Sequence, residues 1–140
     1  MKHNLSAICR AANRFRSEGY SRSTAFVLAW RLSKATAQIS VAGTSFGNRQ
    51  EILAELAAAN PADVYVELRR ERDNLIDRNA VVVVFCFGNT TVKAGYIPTR
   101  AAALIAPLMD AGQAVAATLD RIVGGWLEGI HYGARLRLTM

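Results

Sequence analysis

Residues Arg69 to Ala80 (Arg-Arg-Glu-Arg-Asp-Asn-Leu-Ile-Asp-Arg-Asn-Ala) form a dense polar segment. It runs straight into the apolar block Val81 to Phe87. Desolvating ordered polar side chains at the mouth of a buried strand is costly unless they are hydrogen-bonded. Asp73, Asn74, Asp77 and Asn79 therefore bond their own loop or wait for a ligand. In the bland reading, Asp77 and Asn79 are turn residues of the Asx type. Catalysis would need Glu67, Glu71, Asp73 and Asp77 to converge as a metal-binding carboxylate cluster. Strand alternation splits them over different faces, and no lysine or second acidic motif accompanies them. Without a Walker-type phosphate loop, nucleotide hydrolysis is not expected either. The expectation is a non-enzyme with no cofactor and no metal.

Charge narrows the partner. The chain has 140 residues, a net charge of +6, 51% hydrophobic and 20% charged residues, which suits a globular domain of ordinary size. Residues 1–40 hold seven cations (Lys2, Arg10, Arg14, Arg16, Arg22, Arg31, Lys34) against Glu18 alone, and residues 41–140 balance. A basic segment invites nucleic acid or another polyanion; the alternative is a solvated helix face. No apolar run approaches membrane-span length, and arginines interrupt any secretory leader, so a cytoplasmic location is expected. Cys9 and Cys86 with His3 and His131 make no metal pattern, and the cysteines read as free and buried.

Several elements must position the polar loop. Leu5, Ile8, Cys9, Ala12 and Phe15 recur with helical period, Gly19 breaks the pattern, and Ser21 or Ser23 caps a second helix bearing Phe26 and Trp30. Those two aromatics, four apart, read as core or interface. This hairpin, residues 1–35, is too short to bury both its faces alone and should dock on the main domain, a partner or another copy. From Ala37 the period becomes two: a strand through Ile39 and Val41, a turn at 44–47, a helix from Arg49 to Ala59, and a strand through Val64 and Leu68. Val81 to Phe87 reads as the central strand, turning at Gly88-Asn89 into Thr91 to Tyr96. A helix follows Pro98 and contains Pro107, and strands through Val115–Leu119 and Arg135–Leu138 complete the chain. The implied class is α+β, a strongly curved or partly closed antiparallel barrel with two flanking helices.

The segments Val41-Ala-Gly-Thr-Ser-Phe46, Arg70-Glu-Arg-Asp-Asn74, Asp77-Arg-Asn-Ala-Val81 and Gly95-Tyr-Ile-Pro98 resemble the HIRAN domain. That resemblance covers residues 36–140 and implies an OB-like barrel. In eukaryotic fork-remodelling translocases such a domain binds the 3′-hydroxyl end of single-stranded DNA, and bacterial and phage proteins also carry it alone. The first 35 residues resemble the helical leader of small phage and mobile-element proteins.

By this resemblance, the end-binding asparagine and aspartate match Asn74 and Asp77. A carboxylate accepts from a terminal hydroxyl and repels a 3′-phosphate, and an amide donates to phosphate or base edges. The chain departs where the family stacks bases: Ile76 stands where an aromatic is expected, and Thr44-Ser45 replace a basic-aromatic pair. Phe46, Tyr96 or Trp126 are the replacement aromatics, and Arg49, Arg72 and Arg100 the candidate phosphate contacts. Arg69 and Arg70 read as a solvated strand end, neutralised locally by Glu67, Glu71 and Asp73. The expected function is binding of single-stranded DNA, with the basic hairpin adding sequence-independent affinity. The alternative is a protein-interaction or self-association module with a degenerate DNA surface.

Overall fold

The computed structural model describes residues 5–44, 47–125 and 131–139. Two helices, α1 (Leu5–Ser17) and α2 (Arg22–Ala37), lead into a short strand β1 (Ile39–Ser40). Helix α3 (Arg49–Ala57) and a 3-10 turn at Pro61–Asp63 precede the strands β2 (Tyr65–Arg70), β3 (Val81–Phe87) and β4 (Thr90–Tyr96). Helix α4 (Thr99–Asp110) then returns the chain to β5 (Ala116–Val123) and β6 (Gly133–Thr139). All six strands pair antiparallel in the order β1-β6-β5-β2-β3-β4. The α+β class and the curled, partly closed sheet expected from the pattern are both present.

Closure depends on the segment just after β1. Val41 donates its backbone N–H to the Ala134 carbonyl on one side, at 3.0 Å. On the other side Ala42 and Tyr96 exchange both backbone bonds, at 2.8 and 2.9 Å. The sheet thus curls until its first and last strands meet at this bridge. The approach is so close that a Cβ on Gly95 would overlap the Ala42 carbonyl oxygen, so the position demands glycine for space.

The core runs continuously from the helical hairpin into the barrel. Ile8, Ala12 and Phe15 of α1 and Ala25, Ala29 and Leu32 of α2 share one buried cluster with Val81, Val83, Phe85, Ile105 and Leu136. The hairpin therefore docks on the main domain, with α2 against α4 and β6. Ser21 caps α2, its side chain accepting from the Thr24 N–H.

Several expectations are corrected. Cys9 is free but exposed, and Cys86 is half-buried. Among the described side chains the buried stripe of α1 is Ile8, Ala12 and Phe15, and Leu5 stands 64% exposed. Helix α2 continues to Ala37, α3 stops at Ala57, and β5 extends to Val123. The block Val81–Phe87 is a strand, but it lies next to the β4 edge rather than at the centre. Its run of buried valines has a different origin: Val81, Val83 and Phe85 face the core, whereas Val82 and Val84 floor a shallow depression walled by Arg69, Arg70, Glu71, Thr91 and Lys93. The aliphatic stems of long charged side chains shield that outer face. Phe26 and Trp30 are not core; they are 37% and 38% exposed.

Replacing Gly95 with Ala should separate Ala42 from Tyr96 and cost about 2 kcal/mol. Urea unfolding will show this as a lowered midpoint. A Gly95→Ala protein as stable as the parent would mean that the closure bridge contributes nothing.

Candidate functional site: the polar loop and the closure bridge

Loop 71–80 builds itself from its own polar groups. Its ends pair through the Glu71 N–H and the Ala80 carbonyl at 3.0 Å, and two tight backbone bonds (Asn74 N–H to Glu71 O, Ala80 N–H to Asp77 O) fold the interior. Asn74 fastens the tip: its Oδ1 accepts from the N–H groups of Ile76 and Asp77, both at 2.9 Å. Its Nδ2 donates to Glu71 Oε1 at 2.8 Å. Asp77 Oδ1 accepts from the Asn79 N–H at 2.9 Å, the Asx turn that its position before the strand allows. With the tip held this way, Leu75 and Ile76 stand fully exposed at 101% and 98%.

Two clamps attach this loop to the barrel. Arg70, whose side chain is only 11% exposed, grips the Asp110 carboxylate with Nε and Nη2 at 3.0 and 3.2 Å. It also donates to the carbonyls of Ala80 and Arg78, at 2.7 and 3.0 Å, so one guanidinium joins the loop's exit to the end of α4. Arg70 is thus a largely covered brace, not a solvated strand end, whereas Arg69 remains exposed beside Glu67. The second clamp is Glu71, which accepts from Asn74 and from the Tyr96 hydroxyl at 2.9 Å. Lys93 donates to that hydroxyl at 2.6 Å, sits 4.5 Å from the ring centroid of Tyr96 and lies 3.6 Å from the other Glu71 oxygen.

Lys93 and Tyr96 meet because of a bulge. Val84 pairs with Lys93 and Val83 with Gly95, leaving Ala94 as the extra residue. That insertion moves Lys93 onto the face of Tyr96, which simple alternation would not do. Lys93 borders two shallow depressions. One is lined by Gly47, Asn48, Arg49, Ile52 and Val92, the other by Arg69, Arg70, Glu71, Val82 and Val84. Lys93 is thus the ridge between the two depressions, with Arg49 in one and Arg69 and Arg70 in the other, and with Glu71 beside them.

The first loop is clipped separately. Arg49 donates to the Gly43 carbonyl at 2.6 Å, and the Thr44 hydroxyl reaches the Tyr132 carbonyl at 3.4 Å. Gln50 ties the same residues together, donating to the carbonyls of Thr44 and Tyr132 and accepting from the Tyr132 N–H. Arg72 pairs with Asp110 at 3.0 Å, and Arg100 stands exposed in the first turn of α4. Of the candidates, Asn74 and Tyr96 bond Glu71, Asp77 joins them through its N–H to Asn74, Thr44 and Arg49 hold the segment beside the closure bridge, and Arg72 joins Arg70 on Asp110. Ser45, Phe46 and Trp126 lie outside the described residues. Glu71 as hub, Lys93 and Gln50 were missed by residue typing; the bulge hid Lys93, and nothing in the spacing marks Gln50.

The hydrogen bonds from Asn74 and Tyr96, with the nearby Lys93, hold the Glu71 carboxyl below its ordinary range against the opposing cost of burial. Asp110 is likewise lowered, first by its bond from Arg70 and further by Arg72. Groups whose folded pKa is depressed stabilise the fold above their unfolded value of about 4, and that contribution is lost as pH falls through the folded value. Thermal unfolding should accordingly be flat from roughly pH 8 to 5 and weaken below about pH 4, and Glu71→Gln should reduce that acid sensitivity. Asn74→Ala, which removes three bonds at a partly exposed tip, should cost about 1–2 kcal/mol. Hydrogen exchange at the Ile76 and Asp77 amides reads this directly; unchanged protection there would show that Asn74 does not hold the tip.

A family model described as the HIRAN domain matches residues 34–125, about two thirds of the chain. A crystal structure of a protein from Lactobacillus plantarum is similar with a TM-score of 0.49 and 26% identity, covering 74% of this chain and 93% of that one. No protein with a curated description matches significantly. The matched span holds the closure bridge, the self-built polar loop and the bulged strand carrying Lys93, and on that match the chain belongs to the HIRAN family.

Proposed function

We propose that this chain is a nucleic-acid-binding module that takes single-stranded DNA on the Lys93 ridge and receives the strand's 3′-hydroxyl end at Asp77. The nucleic-acid class follows from family membership; the strand and the end are the finer reading. The observation that supports it best is the placement of Asp77 at a loop tip whose backbone Asn74 holds, with only one of its carboxylate oxygens taken up by the turn. Asn74 spends all three bonds on the loop, so its role in this reading is to build the site. Asp77 uses Oδ1 for the turn, and among the described residues Oδ2 carries no bond, which leaves an acceptor at a preformed tip. A rigid acceptor is what an end-sensing site needs, because the ordering entropy is spent in folding and not in binding.

The same geometry favours binding over catalysis. The carboxylates nearby are engaged in structure: Glu67 with Arg69, Glu71 with Asn74 and Tyr96, Asp110 with Arg70 and Arg72. A second reading, docking of a protein, is favoured by one observation. Leu75 and Ile76 present two fully exposed aliphatic side chains where base stacking would call for a ring.

Fluorescence anisotropy with labelled single strands ending in 3′-hydroxyl or 3′-phosphate, beside a blunt duplex, separates these readings. The expected result is roughly tenfold tighter binding of the hydroxyl end, the scale of one charge-assisted hydrogen bond. Asp77→Asn, which keeps the turn acceptor, should erase the preference. Lys93→Ala should weaken all strands alike and lower the salt slope by about 1. Equal binding to all three ligands would reduce the chain to a polyanion binder, and no binding at modest salt would favour the protein-docking reading.

A further inference from the structure

We propose that the outer face of α2, most of which precedes the family match, is a second contact for the single strand, one that stacks bases on Phe26 and Trp30. The inference rests on the nucleic-acid-binding reading above. Arg22, Phe26, Trp30 and Lys34 are spaced four apart, so they form one slowly turning row along the helix. The opposite side of α2, with Ala25, Ala29 and Leu32, is already buried in the core, at 0, 1 and 0% exposure. Packing within the chain therefore leaves Phe26 at 37%, Val27 at 50% and Trp30 at 38% exposed. A cation stands at each end of the aromatic pair, and Arg31 flanks it. Rings interleaved with cations are the arrangement that holds single strands, the rings taking bases and the cations phosphates.

Charge identifies the occupant. The whole formal excess of +6 lies in residues 1–40, and the α2 sequence Arg22–Ala37 contains no acid. A symmetric contact with a second copy would set Arg22, Arg31 and Lys34 against their own kind, which opposes self-association. A bilayer surface calls for a broad apolar face, and the strip of Phe26, Val27 and Trp30 is narrow. The row from Arg22 to Lys34 spans about 18 Å at ~1.5 Å per residue. Its C-terminal end leads within a few residues to Ile39 and the closure bridge, so a strand on the ridge has a route onto α2.

The test uses the full chain carrying Trp126→Phe, which leaves Trp30 as the sole tryptophan. The ligands are an oligothymidylate of roughly 20 nucleotides, longer than the ~4–16 that one barrel site covers, and an abasic strand of equal length. The expected result is saturable quenching of Trp30 emission by the thymidylate and not by the abasic strand. In the Trp126-containing protein, Phe26→Ala/Trp30→Ala should weaken thymidylate binding about tenfold and abasic binding far less, with the unfolding midpoint unchanged. Thymidylate binding with no quenching, insensitive to both aromatics but weakened in Lys93→Ala, overturns the α2 contact and leaves the barrel reading standing. A drop in sedimentation mass on removing the two rings assigns the face to a second copy and overturns it. Failure of the thymidylate to bind the parent protein overturns both readings.

Discussion

The backbone pairing of Ala42 with Tyr96 is the constraint on which the site depends. It is a single bridge, yet it joins the two ends of a six-stranded order and so sets the curvature of the sheet. Tyr96 then acts twice. Its backbone closes the barrel, and its hydroxyl bonds Glu71 at the base of the polar loop. Loop 71–80 cannot drift relative to the first strand without breaking one of these contacts. The segment after Ala42 is held as firmly, through Arg49 on the Gly43 carbonyl and Gln50 on Thr44 and Tyr132. Two loops far apart in sequence are thus fixed to one seam.

The second brace, Arg70 with Asp110, is partly buried, and such a pair is weak support for stability in itself because desolvation opposes the attraction. Its value here lies in the number of acceptors. One guanidinium serves a bidentate carboxylate and two loop carbonyls, so each of its three nitrogens has a partner. Removing the arginine would take this donor from the Arg78 carbonyl and leave Asp110 to Arg72 and Ala80 O to the Glu71 N–H. The ion pair therefore specifies where the loop exits and where α4 ends, and the hydrophobic seam beneath supplies the energy.

Much of this fold was legible in the sequence because burial and periodicity agree there. The run Val81–Phe87, the glycine turn after it and the start of a helix after Pro98 all appear where the pattern puts them. The polar loop was legible too, as a segment that must either satisfy itself or bind something. What escaped was whatever depends on contacts distant in sequence. Val82 and Val84 look like a strand buried on both faces by neighbouring layers, when long side chains from the adjoining strands and loop cover one face. Arg70 looks like any surface arginine until Asp110, forty residues on, arrives beside it. Lys93 joins Tyr96 only because Ala94 is bulged, and alternation has no means of announcing a bulge. Phe26 and Trp30 fail for the opposite reason. Their helical spacing implies a packed face, but Ala25, Ala29 and Leu32 already fill the available contact.

Charge is divided between the two parts of the chain in a way that bears on mechanism. Residues 41–140 are neutral overall, and several cations there are held by acids: Arg69 by Glu67, Arg70 and Arg72 by Asp110, Lys93 by Glu71, Arg137 by Asp120. The barrel thus presents fixed, half-neutralised donors, which suit orientation of a ligand better than long-range attraction. Among the described residues, none of these ion pairs involves a cation of α1 or α2. Counterion release scales with the number of phosphates neutralised, so the proposed function assigns most of the salt-dependent affinity to the hairpin. The hairpin shares the barrel's core, so its cations are held on the same packed body as the polar loop, which is the geometry the proposed two-part contact requires.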